Sequence, residues 1–390
     1  MRNILIIVVS LFPFTINAQW MQQNSNTSVY LNSIFFPSDS IGYILGENSH
    51  LLKTINGGAT WNSIGPLSIY GSLYFTSNDT GYATGPGGIF KTTNGGVSWT
   101  DNFTDSVGAG SIHFPTKNIG YSLCVNNAFD SILVYKTINA GLNWNRISGF
   151  PSGGIGGSVF FINTTVGFMT VNGDGIFKTS DGGVHWQKKS GSSDLNSIYF
   201  PSDSIGYAVG DSIFKTTDAG NTWHLQYNPN STLFYSVYFT DTNTGYVVGG
   251  DGFNTGVIVK TIDGGVNWTL SLSNTYTFSS VHFPSTNIGY VCGQGGKIYK
   301  YGLSTDINNY AEINSLSIFP NPGNGKFNLS FGYFNKSCKV SILDILGNTV
   351  QQFEMSNPIL NIDISTEPKG IYFVKLENEQ VVKMAKIIYQ

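Results

Sequence analysis

The chain has 390 residues, of which 41% are apolar and 14% aromatic, while only 11% are charged and the formal net charge is −3. So few charges argue against disorder by self-repulsion, and without a basic patch nothing here invites nucleic acid. The 47 glycines, set among many Ser, Thr and Asn, predict numerous turns and hence numerous short strands.

The first residues read as an export signal. Arg2 and the amino terminus supply positive charge, and 4-ILIIVVSLFPF-14 supplies an apolar centre too short to span a bilayer as a helix. Ala18 suits a cleavage site, so residues 1–18 are expected to be removed. No later apolar run is long enough to span, and no transmembrane anchor is expected after that removal.

From residue 19 to residue 302 one unit recurs. A Ser-(Ile/Leu/Val)-aromatic-Phe marker begins at Ser33, Ser72, Ser111, Ser158, Ser197, Ser236 and Ser280. Nine residues after each Ser stands Gly followed by an aromatic, from Gly42-Tyr43 to Gly289-Tyr290. Then Lys-Thr-x-(Asn/Asp)-(Gly/Ala)-Gly-x-x-Trp follows, six times between Lys53 and Trp268, with one Ser in the Thr-x place. Each unit holds four short apolar runs, such as 197-SIYF-200, 205-IGYAVG-210, 212-SIFKTT-217 and 222-TWHLQY-227, and no helical period. Four strands per unit of about 40 residues predict the blades of a β-propeller.

The seventh unit stops short, with Asn308 where its Trp would fall. Trp20 lies 13 residues before Ser33, within the internal Trp-to-Ser spacing of 11 to 14. The N-terminal segment is therefore expected to supply the last blade's fourth strand and close the ring, which removes exposed sheet edges. The predicted fold class is all-β: a seven-bladed β-propeller closed by the N-terminal strand, followed by a small Ig-like β-sandwich.

In the recurring turn, Asn56, Asn94 and Asn139 alternate with Asp181, Asp218 and Asp263. An amide cannot replace a general acid or nucleophile, whereas either group can accept backbone N–H bonds. These six are read as structural turn residues. The motif resembles the Asp-box, or BNR repeat, of sialidases, sortilin-type receptors, xyloglucanases and the Ycf48-like photosystem II assembly factors. The fuller unit is most similar to that last group. The resemblance implies a box between the third and fourth strands at the blade periphery, away from catalysis. It also implies that sialidases hold their sugar carboxylate with three arginines, where the mature chain has only Arg146. Xyloglucanases pair two propellers, and the assembly factors use an arginine-rich patch; neither is present in this sequence.

No metal or cofactor is expected. Cys124, Cys292 and Cys338 are scattered and read as buried, neither a disulfide framework nor a zinc site. His113 and His282 stand where other units have Phe or Tyr. No phosphate-binding glycine loop or HExxH, CxxC or GxSxG motif occurs. The positional hint comes from two insertions, 125-VNNAFDS-131 and 251-DGFNTG-256, both between strands two and three. Such loops share a face with the connections from strand four to the next strand one. The candidate ligand residues on that face are Tyr70, Asn126, Phe129, Phe150, Tyr227, Phe253, Asn254 and Tyr276.

Residues 303–315 read as a linker, and 316–390 as a small β-sandwich. Pro320-Asn321-Pro322 with Gly325, the turn from Asp344 to Gly347, Gly370-Ile371-Tyr372 and a Lys-bearing last strand make this segment resemble the type A sorting domain of the type IX secretion system of Bacteroidota. The resemblance implies that residues 316–390 engage the secretion machinery, cross the outer membrane, and are removed as the protein is released or attached to surface lipopolysaccharide. The expected product is a secreted or surface propeller that binds glycan, peptide or another surface protein. The alternative is a secreted glycoside hydrolase whose carboxylate pair the sequence does not reveal.

Overall fold

The computed structural model describes residues 19–48, 50–66, 71–103, 105, 107–126, 128, 131–151, 156–191, 194–229, 232–302, 316–331, 338–355, 359–377 and 382–390. The expected leader at 1–18 and linker at 303–315 lie outside them. The chain divides into two compact units that part between Leu303 and Ser304.

Among the described residues the first unit shows seven four-stranded antiparallel sheets. Six take consecutive strands in order; the first runs Leu31–Phe35, Gly42–Gly46, His50–Thr54 and Asn62–Pro66. The seventh takes Phe278–Ser285, Ile288–Gly293 and Ile298–Gly302, and adds Gln19–Gln23 as its fourth strand, with Trp20 opposite Tyr301. The first strand of each sheet touches the first strand of the next, and Phe278–Ser285 touches Leu31–Phe35. Second strands are covered on both faces. All five residues of Gly42–Gly46 are buried, which is why such segments read as continuous apolar runs without alternation.

Repeated contacts hold each sheet together and join it to its neighbours. The Tyr or Phe after each marker Gly stacks on the marker's last Phe in the next sheet, at centroid distances of 3.5 to 4.4 Å, from Tyr43 on Phe75 to Tyr290 on Phe36. That Phe folds back over its own sheet's Gly. A Cβ on Gly42 would stand 2.3 Å from the Phe36 ring, so only Gly fits. Each outer-strand Trp then meets the same Phe edge-on at 5.8 to 6.3 Å and 81 to 90°. Trp20 makes this contact to Phe283 as Trp61 does to Phe36. Burying such a Trp contributes roughly 4–6 kcal/mol as an upper estimate.

The marker Ser and the motif Lys are ties as well. Ser33 Oγ accepts the N–H of Leu73, Ser111 Oγ that of Val159, Ser236 Oγ that of Val281, and Ser280 Oγ that of Ile34, at 3.0 to 3.2 Å. Lys53 Nζ donates to Gly95 O at 2.8 Å in the next sheet's turn, and Lys300 Nζ donates to Gly57 O at 2.9 Å. Each of the six motif lysines, and Lys300 at the same place in the seventh sheet, also lies 5.1 to 6.0 Å from the aromatic ring of its own sheet.

The third marker position forms a circuit. Phe35, Tyr74, His113, Phe160, Tyr199, Tyr238 and His282 each contact the next ring, and His282 returns to Phe35, at 4.4 to 5.4 Å. The histidines differ in chemistry. His113 Nδ1 accepts the N–H of Phe161 at 3.2 Å, and His282 Nδ1 accepts that of Phe36 at 3.4 Å. Burial pushes both imidazoles down to about 3, so they stay neutral.

The second unit has two sheets around one core. One is Leu316–Phe319, Lys326–Phe331 and Ile359–Asp363; the other is ordered Thr349–Met355, Cys338–Leu343, Gly370–Glu377 and Val382–Tyr389. Phe327, Leu329, Val340, Ile342, Val374 and Ile387 fill the space between them. Asn321 acts as a strand substitute: its Nδ2 donates to Lys386 O at 2.7 Å, and its Oδ1 accepts the Ile388 N–H at 2.9 Å. Pro320 and Pro322 flank it. Asp344 Oδ1 accepts the N–H groups of Leu346 and Asn348, closing a turn in which Gly347 has φ 86°. Gly370 pairs with Tyr389, and the buried Tyr372 donates its hydroxyl to Pro368 O at 2.6 Å.

Candidate functional site

The six motif turns share one hydrogen-bond pattern. Thr54 Oγ1 donates to Asn56 Oδ1 and accepts the Gly58 N–H, while Asn56 Oδ1 also accepts the Thr60 N–H, each at 2.9 Å. The same three bonds recur at 2.8 to 3.0 Å around Asn94, Asn139, Asp181, Asp218 and Asp263. Gly57 and Gly58 take φ of 63° and 83°. Ala140 and Ala219 occupy the first of these places at 56° and 58°, a left-handed conformation that costs a non-glycine of order 1 kcal/mol. The carboxylates are held ionised. The backbone N–H of Asn267 and its side-chain amide keep Asp263 at about 2, and the backbone N–H and ring of His185 keep Asp181 low. Groups so committed to backbone donors have no proton to give at neutral pH.

The opposite set of loops is not repetitive. In the sixth sheet, Asp251 accepts the N–H groups of Phe253, Asn254 and Thr255, each at 2.9 Å, and these bonds hold its carboxyl at about 2. The loop tip is thereby preorganised, and it presents Phe253 with 79% of its surface exposed. Thr277 Oγ1 donates to Thr255 O at 3.3 Å and accepts the Gly252 N–H at 3.2 Å, which ties this loop to the connection carrying Tyr276. Tyr276 is 38% exposed, and Lys297 Nζ lies 5.0 Å from its ring centroid.

Beside Tyr276 opens a cleft of about 330 Å³. Its walls come from both ends of the first unit: Gln22, Gln23, Asn24, Ser25 and Thr27 from the N-terminal strand and its exit, and Gly295, Gly296 and Lys297 from the turn of the seventh sheet. The Gly296 N–H donates to Val29 O at 2.9 Å, and a Cβ on Gly296 would stand 1.9 Å from Thr27 O. That close approach joins the two walls. Tyr299 donates to Gln22 Oε1 at 3.2 Å, and Asn274 Nδ2 donates to the Tyr299 hydroxyl at 2.6 Å. The cleft is thus hydrophilic, rich in amides, and edged by aromatic rings.

The eight ligand candidates separate. Tyr276 adjoins this cleft through Lys297, while Phe253 and Asn254 sit on the neighbouring loop that Thr277 ties to the Tyr276 connection. Tyr227 is the last residue of the strand His224–Tyr227, half-buried against Phe234, and so belongs to the packing and not to a connection. Phe150 lies within the strand Asn145–Pro151, opposite Ile132. Asn126 Oδ1 accepts the Ser131 N–H and closes its own loop. Tyr70 and Phe129 lie outside the described residues. The cleft residues Gln22 to Thr27 and Lys297 escaped sequence reading, although the polar run 22-QQNSN-26 just after the expected closing Trp was a usable signal.

Among the described residues no His/Cys/Asp/Glu cluster could hold a metal, and no helix is long and apolar enough to cross a membrane. Residues 317–390 match the family model for the secretion system C-terminal sorting domain, and residues 12–156 match that for the photosynthesis system II assembly factor YCF48. The chain joins a YCF48-like repeat to a secretion-system sorting tail. A structure of YCF48 bound to a D1 peptide is 21% identical, with a TM-score of 0.58 over 74% of this chain and 95% of that one. YCF48 from Cyanidioschyzon merolae is 18% identical, with a TM-score of 0.58 over 74% of this chain and 100% of that one. The GH74 xyloglucanase from Xanthomonas campestris is 11% identical, with a TM-score of 0.59 over 81% of this chain and 59% of that one. These likenesses establish a propeller-type all-β fold and carry no activity with them. No curated protein is significantly similar in sequence. The sorting tail implies export through the secretion machinery.

Proposed function

We propose that the protein is an exported binding module: a seven-bladed propeller, closed by its N-terminal strand, that captures a glycan, a peptide or another surface protein on its loop face. Residues 316–390, an Ig-like sandwich in this reading, deliver it by the type IX route, and the mature propeller acts as a secreted or surface protein. The observation that carries the reading is a preorganised loop with the exposed ring of Phe253, tied through Thr277 to the connection carrying Tyr276, which adjoins an amide-lined cleft. Rings stack on sugar or peptide faces, and side-chain amides supply both donors and acceptors. The six turn residues at the rim serve structure alone.

Glycan and peptide arrays probed with the whole chain test this. Binding should fall at least tenfold when the 251–256 loop is shortened and Tyr276 is replaced by Ala. Unchanged binding by that variant would remove the site from the loop face. Deleting residues 316–390 should leave the propeller folded but not delivered outside the cell; normal delivery would refute the role of the tail.

A further inference from the structure

The cleft between the N-terminal exit and the seventh sheet holds one cation and no carboxylate. Lys297 is that cation, and it ends the 3-10 turn Gln294–Gly296. Its ammonium lies over the Tyr276 ring, 5.0 Å from the centroid, which holds it at the mouth of the cleft. Across the cleft stand Gln23, Asn24 and Thr27, with neutral donors and acceptors only. Such a set suits a ligand with many hydroxyls and one negative group. Vicinal hydroxyls match amide pairs, and a carboxylate matches Lys297.

We infer that this cleft is a subsite for an acidic sugar, a uronate-type residue within a polysaccharide, whose carboxylate is held by Lys297 and whose hydroxyls meet the amides of Gln22, Gln23 and Asn24. The inference rests on the binding-module reading and names its ligand class. A peptide is the poorer match, because the lining offers no apolar pocket for side chains. Because one wall belongs to residues 22–27 and the other to residues 295–297, ligand joins the two ends of the propeller unit. It should therefore raise the unfolding temperature in proportion to occupancy.

The test compares two probes of equal shape, an oligogalacturonate and its methyl-esterified counterpart, by calorimetry on the full chain. The acid should bind about tenfold more tightly or better at low salt, and the preference should shrink as ionic strength rises. Lys297→Gln should abolish the preference while keeping the unfolding temperature of the unliganded protein, and Lys297→Arg should retain most of it. Equal binding of acid and ester, no binding of either, or a preference that survives Lys297→Gln would each overturn the inference. Array binding of neutral glycans or peptides that is lost in Tyr276→Ala would, in that event, leave the broader binding reading standing.

Discussion

The rim of the propeller and its loop face are built by opposite rules. At the rim the same bonds recur turn after turn, with the amide of Asn56 and the carboxylate of Asp263 in one role at nearly the same distances. On the loop face, among the described residues, the fifth, sixth and seventh sheets differ. The sixth carries a stiff loop tipped by Phe253, the seventh a 3-10 turn ending in Lys297, and the fifth no insertion at all. Repetition here marks joinery, because every sheet meets its neighbours in the same way. In the binding reading proposed above, departure from repetition is where a ligand would be told from its competitors.

The hardest blow to this contrast is struck at the rim. Trp61 is 2% exposed, and Trp61→Ala should cost about 3–5 kcal/mol in denaturant unfolding. Trp20 makes the same edge-on contact but is only half-buried, so Trp20→Ala should cost about half as much. Equal losses would mean that the seam is packed no differently from the other joints.

Acid should attack the aromatic circuit. His113 and His282 are neutral when folded, pushed to about 3 by burial, whereas the unfolded chain protonates them near 6.5. Their stabilising share is therefore complete above about pH 6.5 and is lost as pH falls toward 3, by at most about 1.4 kcal/mol per pH unit for each. The unfolding temperature of a His113→Phe, His282→Phe variant should vary less between pH 6.5 and 4 than that of the parent. An unaltered pH profile would show that these rings do not govern acid stability.

Smaller effects separate shape from charge in the turns. Thr54→Val keeps the volume but orphans the Gly58 N–H, and should cost about 1–3 kcal/mol. Asn56→Asp should stay within about 0.5 kcal/mol of the parent at neutral pH, since other turns already use Asp. A large loss would make the amide special to that turn. Smallest of all, Phe253→Ala should leave stability unchanged within about 0.5 kcal/mol, because the ring is exposed, while binding to any array ligand weakens. Destabilisation without a binding change would return Phe253 to the packing.

Much of the fold was legible because each sheet solves the same packing problem with the same residues. The marker Gly has no room for a Cβ beneath its Phe, and the Trp must reach that Phe from the outer strand, so both positions stay visible at a set distance along the chain. The role of the motif Lys was not legible, because its acceptor lies in the next sheet's turn, at a distance in sequence that only folding closes. Phe150 read as a loop aromatic because the strand before it runs further than its apolar pattern shows, whereas Tyr227 closes a strand whose apolar run already ended on it.

By itself the sequence determined the repeat, the turn chemistry, the strand count of each unit and the kinship of the tail, since all of these are set by local geometry and by spacing along the chain. Only the tertiary structure brought Gln22–Thr27 against Gly295–Lys297 and set Tyr276 beside them. Those segments stand about 270 residues apart in sequence. No local propensity encodes their meeting; it follows from the Gln19–Gln23 strand taking its place in the seventh sheet, which is a consequence of long-range pairing.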